Sequence, residues 1–189
     1  MEDRYPEFRN LIQEYRDGIL MFEISNEEVW RKASEDMAGL VAYFEKNKKN
    51  YAWDEPHYKG YVVLTKDSKT TKKIKKETSR MTPDDAVQYM NDNYIVGAVS
   101  YVKIERGLFK KGSNAFVDKA AFKTGVPELP AEFQDFFLLG KVLKGPDSYV
   151  DVRGPVITDY QNYLEDNWIK ALNDKYKVTV YPELFETIK

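Results

Sequence analysis

The first third of the chain is patterned for helices. Phe8, Leu11, Ile12, Tyr15, Ile19 and Phe22 recur on one stripe of a 3.6-residue period, which predicts an amphipathic helix. Ser25-Asn26-Glu27-Glu28 has the form of a capping box, with Ser25 as N-cap and Glu28 reaching back. It predicts the start of a helix carrying Val29 and Trp30. Leu40, Val41, Tyr43 and Phe44 predict a third, ending in the polar Lys46–Asn50 run.

After Pro56 the periodicity changes. Tyr58–Thr65 (YKGYVVLT) predicts a buried strand, and Asp67-Ser68 caps a lysine-rich helix reaching Met81. Thr82-Pro83-Asp84-Asp85 places an N-cap, a proline at the first helical position and acids in the first turn, predicting a helix to about Tyr94. Ser100–Glu105 alternates as a strand, Gly107–Gly112 predicts a turn, and Phe116–Phe122 a short helix or irregular turn. Phe136–Leu143 (FFLLGKVL) predicts a strong strand. Val156–Tyr176 predicts one long amphipathic helix through Ile157, Tyr160, Tyr163, Leu164, Trp168, Ala171 and Leu172. On this pattern Trp168 should bury against the first helix near Tyr15 and Ile19, and Lys177–Tyr181 (KVTVY) should form an edge strand. The expected class is α+β: a helical region over 1–56, a mixed sheet-and-helix domain over 57–145, and at 146–189 a long helix plus short strand that pack with the N-terminal helices.

Composition narrows the chemistry. In 189 residues, 3 Trp, 14 Tyr and 10 Phe supply a real core, and the formal charge of −2 gives no global reason to expect nucleic acid or an anionic membrane as partner. No cysteine is present, which excludes a thiol nucleophile, a disulfide and thiolate metal ligation. The single histidine excludes a zinc site built on two imidazoles. No run approaches the ~20 apolar residues of a membrane-spanning helix, so stable membrane insertion is not expected. No signal peptide stands at the start; Met1 is read as an artificial beginning inside a helical pattern.

Few residues offer chemistry. His57, after Pro56, reads either as a general acid or base or as an ordinary hydrogen-bonded surface residue. Lys66, Lys69, Lys72, Lys73, Lys75, Lys76 and Arg80 form a basic cluster, yet Thr70, Ile74, Thr78 and Met81 are expected to supply the buried stripe, so a solvated helix face accounts for it. Asp84-Asp85, Asp151 and Asp159 are candidate carboxylate pairs, of which the first two are explained by helix capping. There is no glycine-rich phosphate loop. No cofactor or metal is expected. Trp30, Trp53 and Trp168 are expected in the core, and the wealth of amphipathic aromatics suits weak binding of extended apolar polypeptide.

Several stretches in order resemble the PpiC/parvulin-type peptidyl-prolyl isomerases, in the multidomain form of the SurA-like envelope chaperones. They are the opening strand Gly60-Tyr61-Val62-Val63-Leu64, the turn Gly107-Leu108-Phe109-Lys110-Lys111-Gly112, Phe116-Val117-Asp118-Lys119-Ala120-Ala121-Phe122 with Gly125, and the closing strand Phe136–Val142. Tyr149–Gly154 with Asp159-Tyr160-Gln161, Glu165, Trp168 and Leu172 is similar to the helix after the last parvulin domain, and Phe8–Trp30 with Asp36–Tyr51 resembles the helical stretch before it. The resemblance implies a parvulin-like domain and a peptide-binding groove lined by Val62, Phe109, Phe116, Val117, Phe122 and Leu138. It also implies unfolded or extended polypeptide clients and a periplasmic or cell-envelope home. The family carries a histidine on each of the two strands; those positions here are Val62 and Leu138 (or its neighbour Phe137). Val117 stands at the proline-pocket phenylalanine, with Phe116 one place off, and the pocket methionine is replaced near Ser113-Asn114. The resemblance thus implies a folding factor with rotamase activity weak or lost. An active peptidyl-prolyl isomerase and a purely structural interaction domain are the alternatives.

Overall fold

The computed structural model describes residues 6–96 and 99–187, and the fold is mixed α+β. The chain divides into two compact units, residues 1–50 with 148–189, and residues 51–147.

The helical unit begins with α1 (Pro6–Ser25), a π turn over Asn26–Trp30, α2 (Arg31–Glu35) and α3 (Met37–Asn47). The expected capping box does not form. Ser25 is itself helical (φ −65°, ψ −38°) and makes no side-chain cap, because nothing between Phe22 and Arg31 breaks the helix. The chain winds on through a π turn, held on its surface by an Arg31–Glu27 ion pair at 3.2 Å. The true cap is Asp36, whose carboxylate accepts from the Gly39 N–H at 2.8 Å. The Tyr160 hydroxyl also donates to it, at 2.8 Å, from α7 (Arg153–Lys175). Val29, Ala33, Leu40, Phe44, Val156 and Tyr160 are buried, and α7 packs on α2, α3 and the π turn. The stripe of α1 stays largely exposed, with Tyr15 at 71% and Ile19 at 53%; Trp168 is half-buried, so it does not bury against them. None of the three tryptophans is fully buried: Trp30 is exposed beside Phe22 (ring centroids 5.3 Å apart), and Trp53 is half-buried. Lys177–Tyr181 forms no strand, for want of a neighbouring strand to supply its ladder, and leaves Val178, Val180 and Tyr181 exposed before the short α8 (Pro182–Phe185).

The second unit is built on three antiparallel strands in the order β4-β1-β5, where β1 is His57–Thr65, β4 is Val102–Lys110 and β5 is Asp135–Leu143. Between β1 and β4 come α4 (Ser68–Glu77), α5 (Pro83–Tyr94) and a small ladder of β2 (Ile95–Val96) with β3 (Val99–Ser100). Between β4 and β5 lies α6 (Ala115–Ala120). Asp67 and Thr82 cap α4 and α5, accepting from the Thr70 and Asp85 N–H groups, and Pro83 opens α5. Helix α4 ends at Glu77, short of Met81, where the Thr78 hydroxyl turns back to the Ile74 carbonyl at 2.8 Å. Gly107 does not start a turn: it pairs with Gly60 inside the ladder, and β4 continues to Lys110.

Side chains alternate along β1 and divide the unit into two layers. Tyr61 and Val63 face α4 and α5, in a core with Ile74, Met90, Tyr94, Val102 and Phe137. Tyr58, Val62 and Leu64 face the other way, towards α6, with Phe109, Val117 and Phe133.

Candidate functional site

The α6 face of the sheet gathers all six residues singled out in the sequence. Register places Val62 between Glu105 of β4 and Leu138 of β5, so the two apolar residues at the expected histidine positions are direct cross-strand neighbours. Phe109 lies two positions beyond Gly107 on the same face of β4. Helix α6 brings Phe116 and Val117, because Asn114 caps it with an Oδ1 that accepts from both of their N–H groups, at 3.0 and 3.2 Å. Behind it the chain turns through Lys123 (φ 60°) and Gly125, and Phe122 packs against the same cluster.

Within this face there are a floor and a rim. Val62, Phe109 and Val117 are buried, with Val62 at 1% and Val117 at 0% exposure, so they form a filled floor and not an open cleft. Phe116, Phe122 and Leu138 are half-buried and pack on that floor. Phe136, two residues before Leu138 on β5, completes the rim, its ring 5.0 Å from Phe116 in an edge-on contact. A half-buried aromatic rim offers wide apolar contact at small entropic cost.

Polar groups on this face are few. Glu105 sits opposite Val62 and accepts from the Asn114 amide at 3.4 Å. Asp118 accepts from the Gly112 N–H at 2.9 Å, which ties the turn after β4 to α6. The Tyr58 hydroxyl is buried without a hydrogen-bond partner, and burial pushes its pKa up to about 12. Tyr58 and Phe133 belong to the floor yet escape sequence reasoning; only the two-residue alternation from Tyr58 through Leu64 signals the first.

A second feature missed in the sequence is a glycine row. Gly107, Gly60 and Gly140 are in register across the three strands. Gly60 and Gly140 have φ of 155° and 147°, and a Cβ on either would collide with backbone of the opposite strand. A Cβ on Gly107 would run into the Phe109 ring, which lies over it. Tyr58 reaches over Gly140, its hydroxyl 2.9 Å from where a Cβ on that residue would stand. The two aromatics cover a stretch of sheet that has no side chains of its own.

The other candidate groups stand elsewhere. By the alternation of β1, His57 shares the Tyr61 face, opposite to Val62; its Nδ1 is 2.9 Å from the Glu55 carbonyl oxygen, and its ring lies 4.3 Å from that of Trp53. Asp84 accepts a short hydrogen bond from Tyr61, Asp85 bonds to Thr82, and Asp151 caps the 3₁₀ turn at Tyr149–Val152 by accepting from the Ser148 N–H. The lysines of α4 are exposed while Ile74 fills the core; Lys73 lies beside Glu77 and over Tyr94, and Lys75 over Phe137. Among the described residues no cluster of three or more His, Asp or Glu could hold a metal ion, and no helix is long and apolar enough to cross a membrane. Compared with protein-family models, with curated proteins and with solved structures, the chain matches none.

Proposed function

We propose that residues 51–147 are a parvulin-like polypeptide-binding module of a SurA-like envelope folding factor, with rotamase activity weak or lost. The observation that carries this reading is the pairing of Val62 with Leu138 under an aromatic rim. A prolyl rotamase must twist a bond whose uncatalysed barrier is ~18–20 kcal/mol, and polar groups beside the amide are its means of lowering it. Here both strand positions are apolar, and the one histidine faces the opposite layer. What remains is a surface of Phe116, Phe122, Phe136 and Leu138 suited to extended apolar segments, such as the alternating strands of outer-membrane proteins. Binding of this kind is of roughly micromolar strength and responds little to salt, since few charges are desolvated.

Two measurements test the reading. Exchange of a short Xaa-Pro peptide followed by NMR should stay near its uncatalysed rate in the presence of the chain. Titration with an aromatic-rich, proline-free peptide should move resonances of Val62, Phe116, Phe122 and Leu138. A robust isomerisation rate, or shifts confined to the Lys66–Arg80 region, would remove it.

A further inference from the structure

Tyr58 is the anomaly of the α6 face. It is 4% exposed, its hydroxyl oxygen stands over Gly140, 2.9 Å from where a Cβ would be, and that hydroxyl has no hydrogen-bond partner. Buried polar groups are nearly always hydrogen-bonded, and an orphan one costs stability that a phenylalanine in the same place would not. Over Gly140 the oxygen makes van der Waals contact but no hydrogen bond, so its polarity goes unused in the free chain.

Position supplies a use for it. Gly60 and Gly140 are followed on the same face by Val62 and Leu138, two residues on in the register. The hydroxyl, buried over Gly140, therefore stands one same-face register position from the Val62–Leu138 pair. The rim rings of the α6 face are half-buried and held by apolar contact, so they can part without breaking hydrogen bonds. Like any tyrosine phenol it is protonated at physiological pH, and its burial raises its pKa further, so the Tyr58 hydroxyl stands ready as a donor.

We propose that the Tyr58 hydroxyl is a recognition group for polypeptide, donating to a main-chain carbonyl of an extended apolar segment seated over the Gly60–Gly140 and Val62–Leu138 pairs. This rests on the reading of the α6 face as a polypeptide-binding surface and adds what fixes the bound segment: a single directional bond in an apolar bed, where such bonds are strongest. Recognition through the main chain leaves the sequence of the segment free, as a surface serving many extended clients requires.

The test is Tyr58→Phe in the full chain, with a capped, proline-free heptapeptide of alternating Phe and Thr as probe. The free variant should melt higher than the parent, because the orphan oxygen is gone, yet bind the peptide roughly tenfold more weakly. In parent protein carrying ¹³C-labelled tyrosine, the Tyr58 Cζ resonance should shift on saturation. Replacing one peptide amide by an ester, whose carbonyl is a weaker acceptor, should cost affinity in the parent and none in the variant. Equal affinities of parent and variant, or a variant that melts lower because the hydroxyl is satisfied in the free chain, would overturn the proposal and leave the binding surface intact. A parent that does not bind the probe on this face overturns the functional reading itself.

Discussion

At Gly39 the helical unit depends on the absence of a methyl group. A Cβ there would collide with the Tyr160 hydroxyl and the Asp36 carboxylate, which meet beside it. Alanine is the better helix former by about 1 kcal/mol, so on propensity alone Gly39→Ala should stabilise α3. We expect the reverse: a drop in melting temperature of several degrees, because the substitution pushes apart a buried tyrosine and its acceptor. The same pair sets a pH signature. The Gly39 N–H and the Tyr160 hydroxyl hold the Asp36 carboxyl below the usual carboxylate range, so its contribution is full above that range and is lost as pH falls through the lowered pKa. Tyr160, raised to about 12 by burial and by Asp36, contributes fully below its ordinary value near 10 and loses that contribution as pH rises towards 12. Melting across pH 2–12 should show a plateau between these limbs, and Asp36→Asn should flatten the acid limb while leaving the chain folded. Neither partner could be chosen from the sequence, since 124 positions separate them.

Among the helices, the two candidate caps of the first third make a paired test. Ser25 has the better capping motif in sequence but sits mid-helix; Asp36 has no motif and is the cap. Ser25→Ala should change stability by less than about 0.5 kcal/mol, whereas Asp36→Ala should cost about 1 kcal/mol or more, since it removes a cap and strands the Tyr160 hydroxyl. Chemical denaturation of both variants checks the pair. In the sheet, Gly60→Ala should be far more harmful than a glycine-to-alanine change in an ordinary strand, because its Cβ would collide with the Leu139 carbonyl oxygen. Loss of the cooperative transition, or its shift by more than about 3 kcal/mol, is the expected reading. Strong local signals were legible here: Asp67, Thr82 and Pro83 start their helices as their chemistry predicts, and β1 and β5 begin and end within a residue of their apolar runs. Gly107 and Lys177–Tyr181 were not, since a glycine ends a strand only if the ladder stops, and an alternating run makes a strand only beside a partner.

The second unit, residues 51–147, is contiguous and carries a core on each face of its sheet. Expressed alone it should fold, giving dispersed amide resonances and a single cooperative melt; a molten, uncooperative fragment would show that its two layers do not suffice. What the candidate site owes to sequence and what it owes to folding separate cleanly in this unit. The α+β class, most element positions and the apolar character of Val62 and Leu138 follow from periodicity, capping chemistry and residue type, which act between neighbours three or four positions apart. That Val62 and Leu138 pair directly, that Tyr58 buries its hydroxyl over Gly140, that three glycines align across the strands and that His57 faces the other layer follow from strand register. Register is fixed by contacts between residues as much as 86 positions apart (His57 and Leu143), and a slip of one residue would exchange the two faces. Local pattern therefore determines most of the elements, while only the packed sheet decides whether a marginal strand forms and which side chains share a surface.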